Sequence, residues 1–194
     1  MAVDRYEVKK LTSPTVASVN SYLIWNLDNR QAALIDPGRG AELIHDYVRE
    51  FELQLTAILL THLHTAHIVG VDLVRNWERM DVYAHRVEKG AAGASVLLDD
   101  ECCLNPGGLR ITVFWIPGHS PGHLCYLLGG HLFTGDSLLA GSVGSTADGE
   151  DHCRQIRQIR DKLFRLGDDI RVWPGHGPST TIGIEKYFNP WFAV

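Results

Sequence analysis

Ten histidines stand in this 194-residue chain, and six of them fall in three short segments marked by glycine or threonine. The first segment, Thr61-His62-Leu63-His64-Thr65-Ala66-His67, follows an apolar run. In extended chain His62 and His64 point to the same side, because side chains alternate with period two. His67 enters the same space if the chain turns into a helix there. Neutral imidazole is the commonest metal ligand, so the segment reads as a chelating turn rather than a strand end with solvated histidines. In Pro117-Gly118-His119-Ser120-Pro121-Gly122-His123, glycine and proline fix an irregular backbone from which His119 projects. His123 is either a further ligand or a hydrogen-bonding neighbour. Phe133-Thr134-Gly135-Asp136 puts a carboxylate after another apolar run, although Gly-Asp alone is a common turn. Pro174-Gly175-His176-Gly177-Pro178 adds a histidine at one more strand end. These histidines and Asp136 suffice for two ions sharing the aspartate. Nitrogen and oxygen ligands suit Zn²⁺, Fe²⁺ or Mn²⁺, and the lack of cysteine among them argues against a structural zinc site.

Elements must bring these segments together. Residues 5–11 and 19–25 read as strands, with a turn at Asp28-Asn29. Ala32-Ala33-Leu34-Ile35 and Leu55 to Leu60 are short apolar runs, as expected of strands covered on both faces. Leu43, Ile44, Tyr47, Val48 and Phe51 mark one face of a helix from Ala41 to Phe51. A further helix is predicted from Ile68 to Arg79, and a strand at Val82-Tyr83-Ala84. Residues 86–108 carry no clear period. Leu109 to Ile116 alternates as a strand, and Leu124 to Leu128, Gly129-Gly130 and His131 to Phe133 read as a hairpin on a two-residue primed turn. His152 to Leu166 is predicted helical, Ile170 to Trp173 a strand, and Ile184 to Trp191 a closing helix. Strands and helices alternate while hairpins also occur, which implies an α/β fold with mixed sheets. Each chemistry-bearing segment then lies at a strand end, where α/β folds build their sites.

Composition narrows the function. Apolar residues make up 45% and charged residues 21%, which is ordinary globular composition and excludes intrinsic disorder. The length fits a single domain over residues 1–194. A net charge of −5 argues against a nucleic-acid binder, which needs a basic surface. No run reaches the roughly 18 apolar residues of a membrane span, and the N-terminus has no signal-peptide core. Cys102, Cys103, Cys125 and Cys153 form no CxxC pair and read as reduced thiols, so a cytoplasmic protein is expected.

The ordered set HxHxxH, PGHSPGH, TGD and PGHGP, with Ile35-Asp36-Pro37-Gly38 before it and Asn189-Pro190 after it, resembles the metallo-β-lactamase superfamily. Within it the pattern looks like the glyoxalase-II-like hydrolases. The resemblance implies a four-layer αββα sandwich with two mixed β-sheets and a metal site along one edge. It implies that His62, His64 and His119 hold one ion, that Asp136 bridges, and that His67 and His176 serve a second. Three departures stand out. The family's first motif carries aspartate immediately before its last histidine, where this chain has Ala66. Arginine often stands in close relatives where this chain has Ser145. Glyoxalase II also has a helical domain that helps bind glutathione, whereas 18 residues follow His176 here.

The expectation is a metal-dependent hydrolase of a thioester or other small acyl ester. One or two Zn²⁺ or Fe²⁺ ions would supply hydroxide at neutral pH. Asp136, His67 and His176 are the expected catalytic residues, and Ala66 weakens the second site. Two alternatives are a mononuclear non-haem iron enzyme like the persulfide dioxygenases, built on His62, His119 and Asp136, and a metal-binding homologue with little activity. The expected partner is a small-molecule substrate, without nucleic acid or membrane, in a monomer or homodimer.

Overall fold

The computed structural model describes residues 5–12, 19–40, 42–88 and 90–192. Ala41 and the N-terminal residues 1–4, named among the expectations above, lie outside the described residues. The first sheet runs in chain order through β1 (Tyr6–Thr12), β2 (Asn20–Asn26), β3 (Gln31–Ile35), β4 (Gln54–Leu59), β5 (Asp81–His85) and β6 (Val96–Leu98). Its first three strands are antiparallel and its last four parallel.

The second sheet contains β7 (Cys103–Leu104), β8 (Ile111–Trp115), β9 (Leu124–Leu128) and β10 (His131–Gly135). A separate two-stranded ribbon, β11 (Leu138–Leu139) with β12 (Ser142–Val143), follows. The chain then re-enters the second sheet as β13 (Arg171–Pro174) and β14 (Thr180–Thr181), giving the order β14-β13-β10-β9-β8-β7. Only the β10–β13 pairing in it is parallel. Both sheets are therefore mixed.

Strand alternation assigns the layers. In β2, Leu23 and Trp25 join the cluster under α1 (Glu42–Glu50), with Ile44, Tyr47, Val48 and Phe51. Tyr22 and Ile24, on the opposite face, meet Val113, Tyr126 and Phe133 of the second sheet. In β9, Leu124, Tyr126 and Leu128 face this middle layer. Cys125 turns outward to Ile159 of α4 (Gly149–Lys162) and Ile182 of α5 (Ile182–Phe188). The result is helix, sheet, sheet, helix: the predicted four-layer sandwich. The unbroken apolar runs in β3 and β4 follow from coverage on both faces.

Several elements differ from expectation. The helix predicted over Ile68–Arg79 is two pieces, α2 (Thr65–Ile68) and α3 (Val71–Arg75). The break falls at Gly70, whose N–H leaves the helical ladder and donates to Pro37 O at 2.8 Å. The unassigned stretch 86–108 contains β6 and β7, too short to show a period. Leu109 lies before β8, closing a tight turn on Pro106 O at 3.0 Å. α4 starts at Gly149 because Asp148 caps it, accepting from Asp151 N at 2.8 Å. α5 starts at Ile182 on the Thr181 cap and ends at Phe188, short of Trp191. The Gly129-Gly130 hairpin forms as predicted, with φ +55° at Gly129. Among the described residues the four cysteines are free, and no helix is long and apolar enough to cross a membrane.

Candidate metal centre

The site lies where β3, β4, β8, β10 and β13 end. After β4, Thr61 donates from its backbone N and its hydroxyl to the Asp36 carboxylate, at 2.8 and 2.6 Å. Asp36 follows β3 and is buried, so this pairing ties two strand ends together. The next residue, His62, is buried. His67 arrives on α2, and its Nδ1–H donates to Asp36 Oδ2 at 3.0 Å. Past β8, His119 donates from Nδ1 to Ser145 O at 2.7 Å. Both contacts orient a ring so that Nε2 faces inward.

Asp136, directly after β10, is the point of convergence. Its Oδ2 lies 3.8 Å from His62 Nε2, 3.6 Å from His67 Nε2, 3.5 Å from His119 Nε2 and 3.4 Å from His176 Nε2. His64 Nδ1 lies 3.0 Å from His119 Nε2. The six predicted residues thus come together. They form two groups with ligand atoms within 4.8 Å of one another: His62, His64, His119 and Asp136, and His67, Asp136 and His176. Asp36 with His62 and His67 forms a third.

The residues fit a cation. His62 Nε2, His67 Nε2 and Asp136 Oδ1 are buried and have no hydrogen-bond partner among the described residues. Leaving such atoms unsatisfied costs about 1–3 kcal/mol each, and a divalent ion satisfies ring lone pairs aimed at one point. Close approach is also provided for: a Cβ on Gly175 would collide with Asp136 Oδ1 and lie 2.8 Å from His67 Cε1.

Protonation follows burial. Desolvation, aided by neighbouring histidines, drives the His62 pKa far down and His123 to about 3, and it lowers His64. These rings are neutral at pH 7, the form that binds metal. His67 behaves oppositely. Burial pulls it down, yet the nearby carboxylates of Asp136 and Asp36 outweigh that and raise it to about 9. For Asp136, burial opposes the charge, but His176 and His67 hold it well below the usual carboxylate range. A raised His67 pKa means that below about pH 9 a metal ion must displace its proton. Affinity for an ion at the His67 group should therefore rise with pH from 7 to 9, with proton release on binding in calorimetry. Affinity independent of pH over that range would contradict the assignment.

His123, left open by its sequence, does not join either group. It is fully buried and its Nε2 accepts the Asp136 N–H at 3.0 Å, so it holds the aspartate's backbone. The motifs placed Asp36 only within Ile35-Asp36-Pro37-Gly38, with no part in the site. Its signal was position, a carboxylate at a strand end beside the histidine-bearing one. Ser145 is exposed and serves through its carbonyl, whatever its side chain. Ala66 is half-buried and brings no ligand atom to the His67 group.

Known proteins resemble this chain in sequence and fold. Residues 14–176 match the metallo-beta-lactamase superfamily. The hydroxyacylglutathione hydrolase GloC of Haemophilus influenzae is 34% identical over 91% of this chain and 93% of its own. The crystal structure of BLEG-1 B3 metallo-beta-lactamase superposes with a TM-score of 0.89 at 34% identity, covering 97% of this chain and all of that one. That of ETHE1 from Myxococcus xanthus gives 0.86 at 31% identity, over 95% and 83%. With two mixed sheets between helices and a histidine–aspartate cluster at their strand ends, the chain belongs to the metallo-beta-lactamase superfamily.

Proposed function

We propose that the protein is a metal-dependent hydrolase of a thioester or another small acyl ester. His62, His64, His119 and Asp136 hold one ion, and His67 and His176 with Asp136 form a weaker second site. One observation carries the reading: a single carboxylate oxygen stands 3.4–3.8 Å from four imidazole nitrogens on three separate segments. The likeness to a hydroxyacylglutathione hydrolase supports the substrate class. Bound zinc or iron lowers the pKa of water from 15.7 towards about 7 and polarises a carbonyl.

The chain's own part is placement. Asp36 holds the His67 ring, Ser145 O holds the His119 ring, and His123 holds the Asp136 backbone. The His176 side chain is 41% exposed, so it stands at the mouth where substrate enters. Asp136, His67 and His176 thus line the reacting position.

Chelator-treated protein should regain both thermal stability and thioester hydrolysis when Zn²⁺ or Fe²⁺ is restored. A ligand at a thousand times its dissociation constant contributes about 4 kcal/mol, which for a chain of this size is a melting-temperature rise on the order of 10 °C. Absence of any shift with divalent ions would sink the reading.

A second reading has its own observation. His62 Nε2, His119 Nε2 and Asp136 Oδ2 make a two-histidine, one-carboxylate set of the kind used by non-haem iron oxygenases. Iron retained without zinc, and oxygen consumption with a persulfide but no thioester turnover, would favour it.

A further inference from the structure

His119 reaches the cluster from a loop, and a loop imidazole can present either nitrogen. Its Nδ1–H is spent on Ser145 O, which leaves Nε2 as the lone pair facing the cluster. Ser145 is exposed, so its carbonyl is only as well placed as the segment after β12. Gln155 of α4 holds that segment. Its side chain is fully buried, and its Nε2 donates to Gly144 O at 3.0 Å and to Ser137 O at 3.2 Å. The two acceptors bracket the β11–β12 ribbon.

The same side chain also backs the residue before His119. Gly118 has φ +148°, and a Cβ there would strike Gln155 Cβ and lie 2.9 Å from its Oε1 and 2.8 Å from Asp151 O. Gln155 therefore touches the backbone on both sides of the His119 ring: the residue that precedes it and the segment that accepts its proton. Its Oε1 has no hydrogen-bond partner among the described residues. An amide with an unsatisfied buried acceptor costs stability that an apolar residue of similar shape would not, so packing alone does not account for glutamine here.

We propose that Gln155 is a positioning residue for His119: its amide fixes the Gly144–Ser145 segment, which locks His119 in the Nδ1–H tautomer and keeps Nε2 aimed at the metal. The inference rests on the reading of His119 as a ligand. Partners that orient a ligand in this way typically change metal affinity 10–100-fold.

The test is Gln155→Met, which keeps the volume and removes both donations. In metal-free protein labelled with ¹⁵N-histidine, the wild type should show a single His119 tautomer carrying hydrogen on Nδ1. The variant should show both tautomers and bind Zn²⁺ about 10–100-fold more weakly in competition with a chromophoric chelator. Unchanged affinity with the Nδ1–H tautomer intact overturns the proposal and leaves Gln155 a packing residue. If the methionine variant fails to fold, Gln155→Asn, too short to reach both carbonyls, is read in the same way. A wild type that takes up no Zn²⁺ instead overturns the ligand reading itself, which separates the two failures.

Discussion

Replacing Asp136 by asparagine should strip the protein of bound metal and lower ester hydrolysis by on the order of 10³-fold or more, because the lowered water pKa is lost with the ion. The reason is geometric. Asp136 belongs to both the His62 and the His67–His176 groups, and its Oδ2 lies within 3.8 Å of the Nε2 atoms of His62, His67, His119 and His176. Asparagine keeps the shape and the backbone N–H that His123 accepts, but removes the charge that offsets a dication. Metal analysis of the purified variant, with circular dichroism as the control for folding, reads the result. A variant that retains one equivalent of tightly held metal would show that the aspartate is not the shared ligand. His176→Ala is the useful comparison. It touches only the second group, so the first ion should remain.

Ala66→Asp should work in the opposite direction. Two dications beside one another repel, and Asp136 is the one carboxylate within the group of His67, Asp136 and His176. Position 66 lies on α2 directly before His67 and is half-buried, so a carboxylate there enters close to the His67 group. Opposite unit charges 4 Å apart attract by about 4 kcal/mol at an effective dielectric of about 20. Desolvation of the new carboxylate takes back part of that gain, so second-ion affinity should rise roughly tenfold to hundredfold. Thioester turnover should rise with second-ion occupancy. Metal stoichiometry and hydrolysis of a small thioester, measured on both proteins, decide the matter. An unchanged stoichiometry together with an unchanged rate would mean that the second group does not hold an ion in the way proposed.

Much of this architecture can be read from residue order. The runs at Ala32–Ile35 and Leu55–Leu60 announce buried strands, since only a strand covered on both faces is apolar without alternation. The Gly129-Gly130 hairpin and the α4 stripe follow from local rules that need no partner. Elsewhere the local signal is too small. β7 has two residues and β6 three, fewer than any period can show. The break at Gly70 depends on the distant carbonyl of Pro37, which competes with the helix for one N–H.

For the site, sequence alone picked out the histidines and the aspartate that converge and the segments that carry them, because their residue types and spacing are visible in the chain. Tertiary structure decided the rest. His64 and His119 are 55 residues apart and meet only because β4 and β8 end on the same edge of the sandwich. The supporting contacts of Asp36, His123, the Ser145 carbonyl and Gln155 have no signature in residue spacing. Each residue meets its partner across separate segments: Asp36 reaches His67 across the ends of β3 and β4, His123 reaches Asp136 across β9 and β10, Ser145 O reaches His119, and Gln155 reaches Gly144. Spacing in a sequence specifies which side chains share a face of one element. Which faces then confront one another is set by burial of the apolar layers, and that is a property of the whole fold.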